Sequence, residues 1–236
     1  MPVPVLIYIG AAALAALTGG GVVFRHRILR VFKGRPLVVL GAHKVGKTVL
    51  LSFLTKGKVI SPHDGYKRTE AAQRLGRGHH VANGEDENLY VKDVHDVPGA
   101  EDDVGTWRAL FFKAARNPKS LCFYLVDAER LHADDEDHVG RVKVDLDRIS
   151  EWLEGPPRRR APRLFVIATH FDKIPGWKNG SEKDRAAIER RFKKHDALQG
   201  ALDRRDPILV ADLSGRKEGF ESLFDRICGI LEALED

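Results

Sequence analysis

Eight consecutive residues carry the most specific chemistry in this chain: Gly41-Ala42-His43-Lys44-Val45-Gly46-Lys47-Thr48 reads G-x-x-x-x-G-K-T. Glycines at this spacing let the backbone curl so that successive N–H groups point at one phosphate. A helix that follows directly offers the positive end of its dipole to the same anion. In such a loop Lys47 reaches the β- and γ-phosphates and the Thr48 hydroxyl ligates Mg²⁺. A glycine turn that merely joins a strand to a helix is the plainer alternative. The flanks favour phosphate binding, because Pro36-Leu37-Val38-Val39-Leu40 reads as a buried strand and Val49-Leu50-Leu51-Ser52-Phe53-Leu54 as the start of a helix.

Three further stretches bear on which nucleotide is bound. Asp96-Val97-Pro98-Gly99 ends the run Leu89-Tyr90-Val91-Lys92-Asp93-Val94-His95, about 50 residues after the loop. This D-x-x-G places a carboxylate, Asp96, where a Mg²⁺ partner is needed, and a glycine, Gly99, whose N–H can approach a γ-phosphate. Leu164-Phe165-Val166-Ile167-Ala168 is followed by Thr169, His170, Phe171, Asp172 and Lys173. In this T-H-x-D the Asp172 carboxylate, as a buried acceptor, can take hydrogen bonds from the ring N–H and exocyclic amine of guanine. Adenine has neither donor in that arrangement. An ordinary capping or turn aspartate after a strand is the competing reading. Val210-Ala211-Asp212-Leu213-Ser214-Gly215 again leaves a strand and enters a helix, as a base-contacting loop does. The nucleotide contacts are therefore assigned to Gly41 through Thr48, to Thr169, His170, Asp172 and Lys173, and to Ala211 and Asp212.

The elements that position these residues alternate between short apolar runs and longer amphipathic segments, the pattern of a parallel sheet covered on both faces. Strands are predicted at Leu37–Leu40, Leu89–Val94, Leu121–Val126, Leu164–Ala168 and Ile208–Ala211. Helices are predicted at Lys47–Leu54, Val104–Arg116, His138–Leu153, Ser181–His195 and Phe220–Leu234. The stretch from Thr55 to Gly84, rich in Gly, His and charge, is read as mobile loops around one weak strand near His80–Ala82.

A chain of 236 residues accommodates one domain of ordinary size with an appendage. Residues Val3 to Phe24 contain no charged side chain, and about 20 apolar residues span a bilayer core. No basic residue precedes the run, and Arg25, Arg27, Arg30, Lys33 and Arg35 follow it, the reverse of a cleaved signal peptide. The division expected is a transmembrane anchor at 1–24, a basic juxtamembrane linker at 25–35, and a nucleotide-binding domain at 36–236. The positive-inside tendency keeps that domain in the cytoplasm. The net charge of +5 comes largely from this cluster and from Arg158-Arg159-Arg160 and Arg163. Without interleaved aromatics or a nucleic-acid module, it points to membrane surface and solvated loop, and no nucleic-acid partner is expected. Small residues such as Ala11 to Ala13 and Gly19 to Gly21 permit helix pairing, so dimerisation is possible. Cys122 and Cys228, without metal-ligand spacing, read as buried thiols.

The four motifs in this order resemble a Ras-like GTPase domain of the translation-factor-related class, over residues 36 to 235. The phosphate loop, Asp96 and Gly99 match the family. Thr169 and His170 stand where N-K-x-D is commoner, and Ala211-Asp212 where Ser-Ala is usual. A membrane segment ahead of such a domain is similar in architecture to the β subunit of the signal recognition particle receptor. The resemblance implies an α/β fold, bound GTP or GDP with Mg²⁺, a protein effector, and catalysis by Lys47, Thr48 and Gly99. It also implies a threonine from a mobile loop on Mg²⁺ and the γ-phosphate. Thr69, the one threonine between Thr55 and Asp96, fits that role or is a surface residue. Relatives place a glutamine after the D-x-x-G glycine to orient water; Ala100 stands here, so hydrolysis should be slow unless His95, His43 or Glu101 substitutes. His43 replaces a frequent glycine and can obstruct an arginine from a partner. Lys44 stands where potassium-stimulated relatives carry asparagine; it either places charge near the bridging oxygens or faces solvent. A slow membrane-anchored switch is the reading, against a GTP-loaded scaffold or a P-loop ATPase or kinase.

Overall fold

The computed structural model describes residues 31–32, 35–56, 73–74, 92–96, 104–155, 161–174, 182–213 and 217–234. Their centre is a six-stranded sheet: β1 (Pro36–Gly41), β2 (Gln73–Arg74), β3 (Lys92–Asp96), β4 (Leu121–Asp127), β5 (Arg163–Thr169) and β6 (Ile208–Val210). The spatial order is β2-β3-β1-β4-β5-β6. β2 runs antiparallel to β3 and every other neighbouring pair is parallel. Parallel strands need crossovers, which contain α1 (Lys47–Lys56), α2 (Val104–Ala114), α3 (Ala128–His132), α4 (Glu136–Glu154), α5 (Glu182–Phe192) and α6 (Gln199–Asp203); α7 (Lys217–Glu232) follows the last strand.

The central strands are apolar at nearly every position because helices cover both faces. With a side-chain period of two, β1 sends Leu37 and Val39 to one face and Val38 and Leu40 to the other. The first face packs β4 and β5 through Phe123 and Phe165 against α1 and α7. Phe53 of α1 stacks on Phe220 of α7 at 4.5 Å between ring centres, and Phe224 lies 5.9 Å from Phe53. The second face buries Trp107 and Phe111 of α2 and Leu146, Ile149 and Trp152 of α4 against Cys122, Tyr124 and Val126. A buried tyrosine hydroxyl needs a partner: Tyr124 donates to Asp145 at 3.0 Å, and Arg141 pairs with the same carboxylate at 3.0 Å. At the sheet's far edge, Glu189 of α5 accepts the Val210 backbone N–H at 3.0 Å and holds Arg226 of α7, which satisfies an edge group of β6. Both cysteines are buried free thiols, and burial pushes the Cys122 thiol far up, as the sequence led us to expect.

Three details depart from the expectations. A two-residue strand stands at Gln73–Arg74, inside a stretch read there as loop; His80–Ala82, where the weak strand is expected, lies outside the described residues, as does most of the stretch read as mobile loops. Two short helices, α3 and α6, were not expected; Asp127 starts α3 by accepting the N–H groups of Glu129 and Arg130. The core also begins before residue 36. Phe32 is fully buried, edge-on to Phe123 at 6.4 Å and to Phe224 at 5.6 Å. Arg35 is buried beside it, its guanidinium donating to the carbonyls of Val31 and Lys119. The segment read as a linker thus gives its last residues to the packed domain, because an apolar pair, Val31-Phe32, follows the arginines. No helix among the described residues is long and apolar enough to cross a membrane; residues 1–24, where the anchor is expected, lie outside them.

Asp206, in the turn before β6, has its carboxyl pushed up to about 6 by burial, against the pull of Arg204 at 3.3 Å and of Arg163. The folded chain therefore holds this proton more tightly than the unfolded chain, and stability falls as pH rises from the ordinary carboxylate range through about 6. Asp206→Asn should remove that fall. The stability difference between the variant and the natural chain, from urea unfolding at pH 4.5 and 7.5, should shift toward the variant by up to ~2 kcal/mol. Parallel curves at both pH values would contradict the assignment.

Candidate nucleotide-binding site

The loop after β1 is shaped by backbone that ordinary residues avoid. Gly41 has φ +137° and a Cβ built on it would lie 2.4 Å from the Leu125 carbonyl oxygen of β4, so no side chain fits. Gly46 has φ +86°, and Lys44 between them sits at φ +63°, a left-handed conformation that costs a non-glycine residue about 1 kcal/mol or more. These turns curl Gly41 to Gly46 into a hollow. Lys47, buried, reaches back and donates from Nζ to the carbonyls of Gly41 at 2.8 Å and Ala42 at 2.6 Å. Thr48 stands in the first turn of α1, which carries no acidic residue there, so the positive end of the helix is directed at the loop. A glycine cradle, a buried ammonium and an uncompensated helix end fit a polyphosphate. His43 and Lys44 are both exposed on the outside of the curl, while Val45 is buried.

Asp96 ends β3, and the parallel register sets it beside Val39 of β1, two residues before the loop begins. Mg²⁺ keeps several waters and takes substrate phosphate oxygens rather than a full protein cage, so few protein ligands suffice for it. Among the described residues no group of three or more His, Cys, Asp or Glu is placed to hold a metal by itself. Thr69, Gly99 and Ala100 lie outside the described residues.

The two remaining motifs converge on the same loop. Thr169, fully buried at the end of β5, donates from Oγ1 to the Val45 carbonyl at 3.0 Å, with the Val126 carbonyl at 3.1 Å as a second acceptor. The hydroxyl carries one proton, so the two carbonyls share it. Leu213, beyond β6, packs where a Cβ on Gly46 would meet its Cδ1 at 3.4 Å. Ala211 is buried and Asp212 partly so. His170 turns the chain at φ +56° into a 3₁₀ turn, Phe171–Lys173, anchored by buried Phe171 and Ile174. Asp172 and Lys173 are exposed on that turn. This corrects the expectation of a buried acceptor: only the turn's apolar residues face the core, and the carboxylate stands at the rim beyond the C-terminal end of β5.

The structure adds residues that spacing did not reveal. Asp127, ending β4, divides its carboxylate. Oδ1 caps α3 by accepting the N–H groups of Glu129 at 3.0 Å and Arg130 at 3.2 Å. Oδ2 meets His170 Nδ1 at 2.9 Å. Burial works to raise this carboxyl, yet the hydrogen bond and charge of His170, the Arg130 amide and His138 together hold it below the usual carboxylate range. The Asp127 backbone N–H donates to His138 Nε2 at 3.1 Å. His138, buried on α4, has its pKa lowered by burial and then by Arg130, which favours the neutral ring that can accept. Gly219, in the first turn of α7, lies so close to the Asp212 carbonyl oxygen that a Cβ would approach it to 2.1 Å. A charged residue closing the apolar run Leu121–Val126, and a glycine inside a helical pattern, were the available signals.

No protein-family model and no curated protein matches the chain. Among solved structures, a chain of the mammalian SRP receptor is similar over 82% of this chain and 100% of that one, with TM-score 0.51 at 15% identity. A chain of the signal recognition particle receptor SRb-GTP/SRX complex from Chaetomium thermophilum matches with TM-score 0.48 at 17% identity, over 83% of this chain and 97% of that one. The Arl6 BBS3 small GTPase from Trypanosoma brucei matches with TM-score 0.46 at 16% identity, over 84% and 98%. The chain thus has a Ras-like GTPase fold.

The Thr169 hydroxyl should be worth more than its size suggests. Thr169→Val keeps the shape and leaves both carbonyls without this donor, so urea unfolding should show a loss of about 1–3 kcal/mol. A loss below a few tenths would mean that the hydroxyl does not tie β5 to the loop.

Proposed function

We propose that this chain is a membrane-anchored guanine-nucleotide switch that binds Mg-GTP and hydrolyses it slowly. The observation that carries the proposal is the buried hydrogen bond from Thr169 to the Val45 carbonyl. It fastens the T-H-x-D turn directly to the phosphate loop, so that one ligand can meet both. A kinase or ATPase reading gives this connection, and the approach of Leu213 to Gly46, a structural role alone.

The chain's own residues suggest how the site works. Amides of the curled loop and Lys47 neutralise the phosphates and the charge that develops between them. Thr48 and Asp96 would hold Mg²⁺, whose chemistry when bound is to neutralise phosphate oxygens and fix their geometry. Asp172, on its exposed turn, accepts two N–H donors from guanine. Thr69 is assigned to the loop that closes on the γ-phosphate and Gly99 to its N–H contact; the segments 55–84 and 99–103 differ between GTP and GDP states. Ala100 offers water no hydrogen-bond partner, so a GTP-loaded receptor or scaffold with negligible turnover is the second reading. The anchor at 1–24 and the basic cluster behind it place the domain on the cytoplasmic side of a membrane, where a protein effector reads its state.

Asp172→Asn replaces an acceptor by an amide donor and so exchanges guanine for xanthine, whose oxygen replaces the exocyclic amine. GTP affinity should fall at least ~100-fold and XTP affinity rise; unchanged GTP binding would remove Asp172 from the base pocket. Single-turnover hydrolysis, with and without potassium, separates the two readings: a rate no faster than that of free GTP leaves only the scaffold. The full chain should remain with membranes through a carbonate wash and be released by deleting residues 1–24. Recovery of the full chain in the soluble fraction would remove the anchor from the account.

A further inference from the structure

The proposed base pocket leaves one feature without a function: the pair formed by His170 Nδ1 and Asp127 Oδ2 at 2.9 Å. The two residues lie at the ends of neighbouring parallel strands, where the register sets Asp127 beside Thr169. His170 is the second residue of T-H-x-D and takes a left-handed turn at φ +56°. A histidine at such a backbone position needs something to hold its ring, and the partner comes from another strand rather than from its own turn. Asp127 is itself fixed from two sides, by the first-turn amides of α3 and by His138 on its backbone N–H. The carboxylate therefore cannot follow the ring; the ring must settle on the carboxylate.

We infer that Asp127 is a positioning residue for the nucleotide base: it holds the His170 imidazole in one orientation, with the proton on Nδ1, beside the subsite for guanine. This rests on the proposed function, and it makes guanine-nucleotide retention depend on a residue that acts through His170. The arrangement has the form of a carboxylate orienting a histidine, in which the acceptor fixes the tautomer and the second ring nitrogen is left to face the ligand side. Its supports come from β4, α3 and α4, so the T-H-x-D turn is tied to the layer of helices on one face of the sheet as well as to the phosphate loop.

Asp127→Asn separates this role from the helix cap, because asparagine caps a helix about as well as aspartate while lacking the charge that holds the imidazole. The test measures release of methylanthraniloyl-GDP from the full chain in the natural form, Asp127→Asn, His170→Asn and the double variant. It adds the ring ¹⁵N NMR signals of His170 in the natural form and in Asp127→Asn, which report the nitrogen that carries the proton. The expected result is release at least ~5-fold faster in each single variant, a double variant no faster than His170→Asn alone, and a ring ¹⁵N pattern of the Nδ1-protonated imidazole that is lost in Asp127→Asn. Should Asp127→Asn unfold, Asp127→Ser keeps a capping hydroxyl without a carboxylate and repeats the measurement. Release unchanged by loss of the carboxylate, with His170→Asn still fast, overturns this inference and leaves the guanine reading standing. A natural chain that does not bind the fluorescent GDP overturns both.

Discussion

One proton, on the buried hydroxyl of Thr169, is shared between the Val45 and Val126 carbonyls, and the rest of the site depends on where that places β5. The phosphate loop by itself is a local construction, made by the left-handed turns at Gly41, Lys44 and Gly46 and closed by Lys47 on its own carbonyls. It is attached to a turn more than a hundred residues later, at a strand end two positions across the sheet. Parallel strands bring their C-terminal ends to one edge, and open α/β folds bind ligands there. In this chain that edge is populated by Gly41, Asp96, Asp127, Thr169 and Ala211, one from or just beyond each of the five parallel strands.

Close backbone approaches set the tolerances of this edge. Gly41 lets β1 end against the Leu125 carbonyl, and Gly219 lets α7 begin against Asp212. Each glycine is needed so that two segments can lie where they do. The aromatic packing of Phe53, Phe220 and Phe224 holds α1 and α7 together beneath them. The helix that follows the phosphate loop and the helix that follows the last base loop thus share one apolar face. Bulk hydrophobic burial supplies the stability, and the glycines supply the fit.

Much of the site was legible in the sequence where its chemistry is local. Gly41 to Thr48 is recognisable because the spacing of its glycines, lysine and threonine is itself the geometry, Asp96 because it opens a D-x-x-G, and Thr169 because it ends an apolar strand. Contacts between distant segments left little trace. Nothing in the spacing of Asp127 and His170 says that their side chains meet, nor that Gly219 abuts Asp212. Alternation indicated which strands are buried, yet it missed the two-residue β2, too short to show a period, and the capped single turn of α3. The exposed position of Asp172 was obscured by a strand pattern that stops just before it, and the role of Phe32 by the arginines around it, which read as linker.

The central claim, that this edge holds a guanine nucleotide, is tested most directly by offering the full chain equal GTP and ATP with Mg²⁺, removing the excess, and identifying the retained nucleotide by mass spectrometry. The account predicts guanine nucleotide retained over adenine by at least ~100-fold. Adenine nucleotide retained equally well, or neither retained, would contradict it.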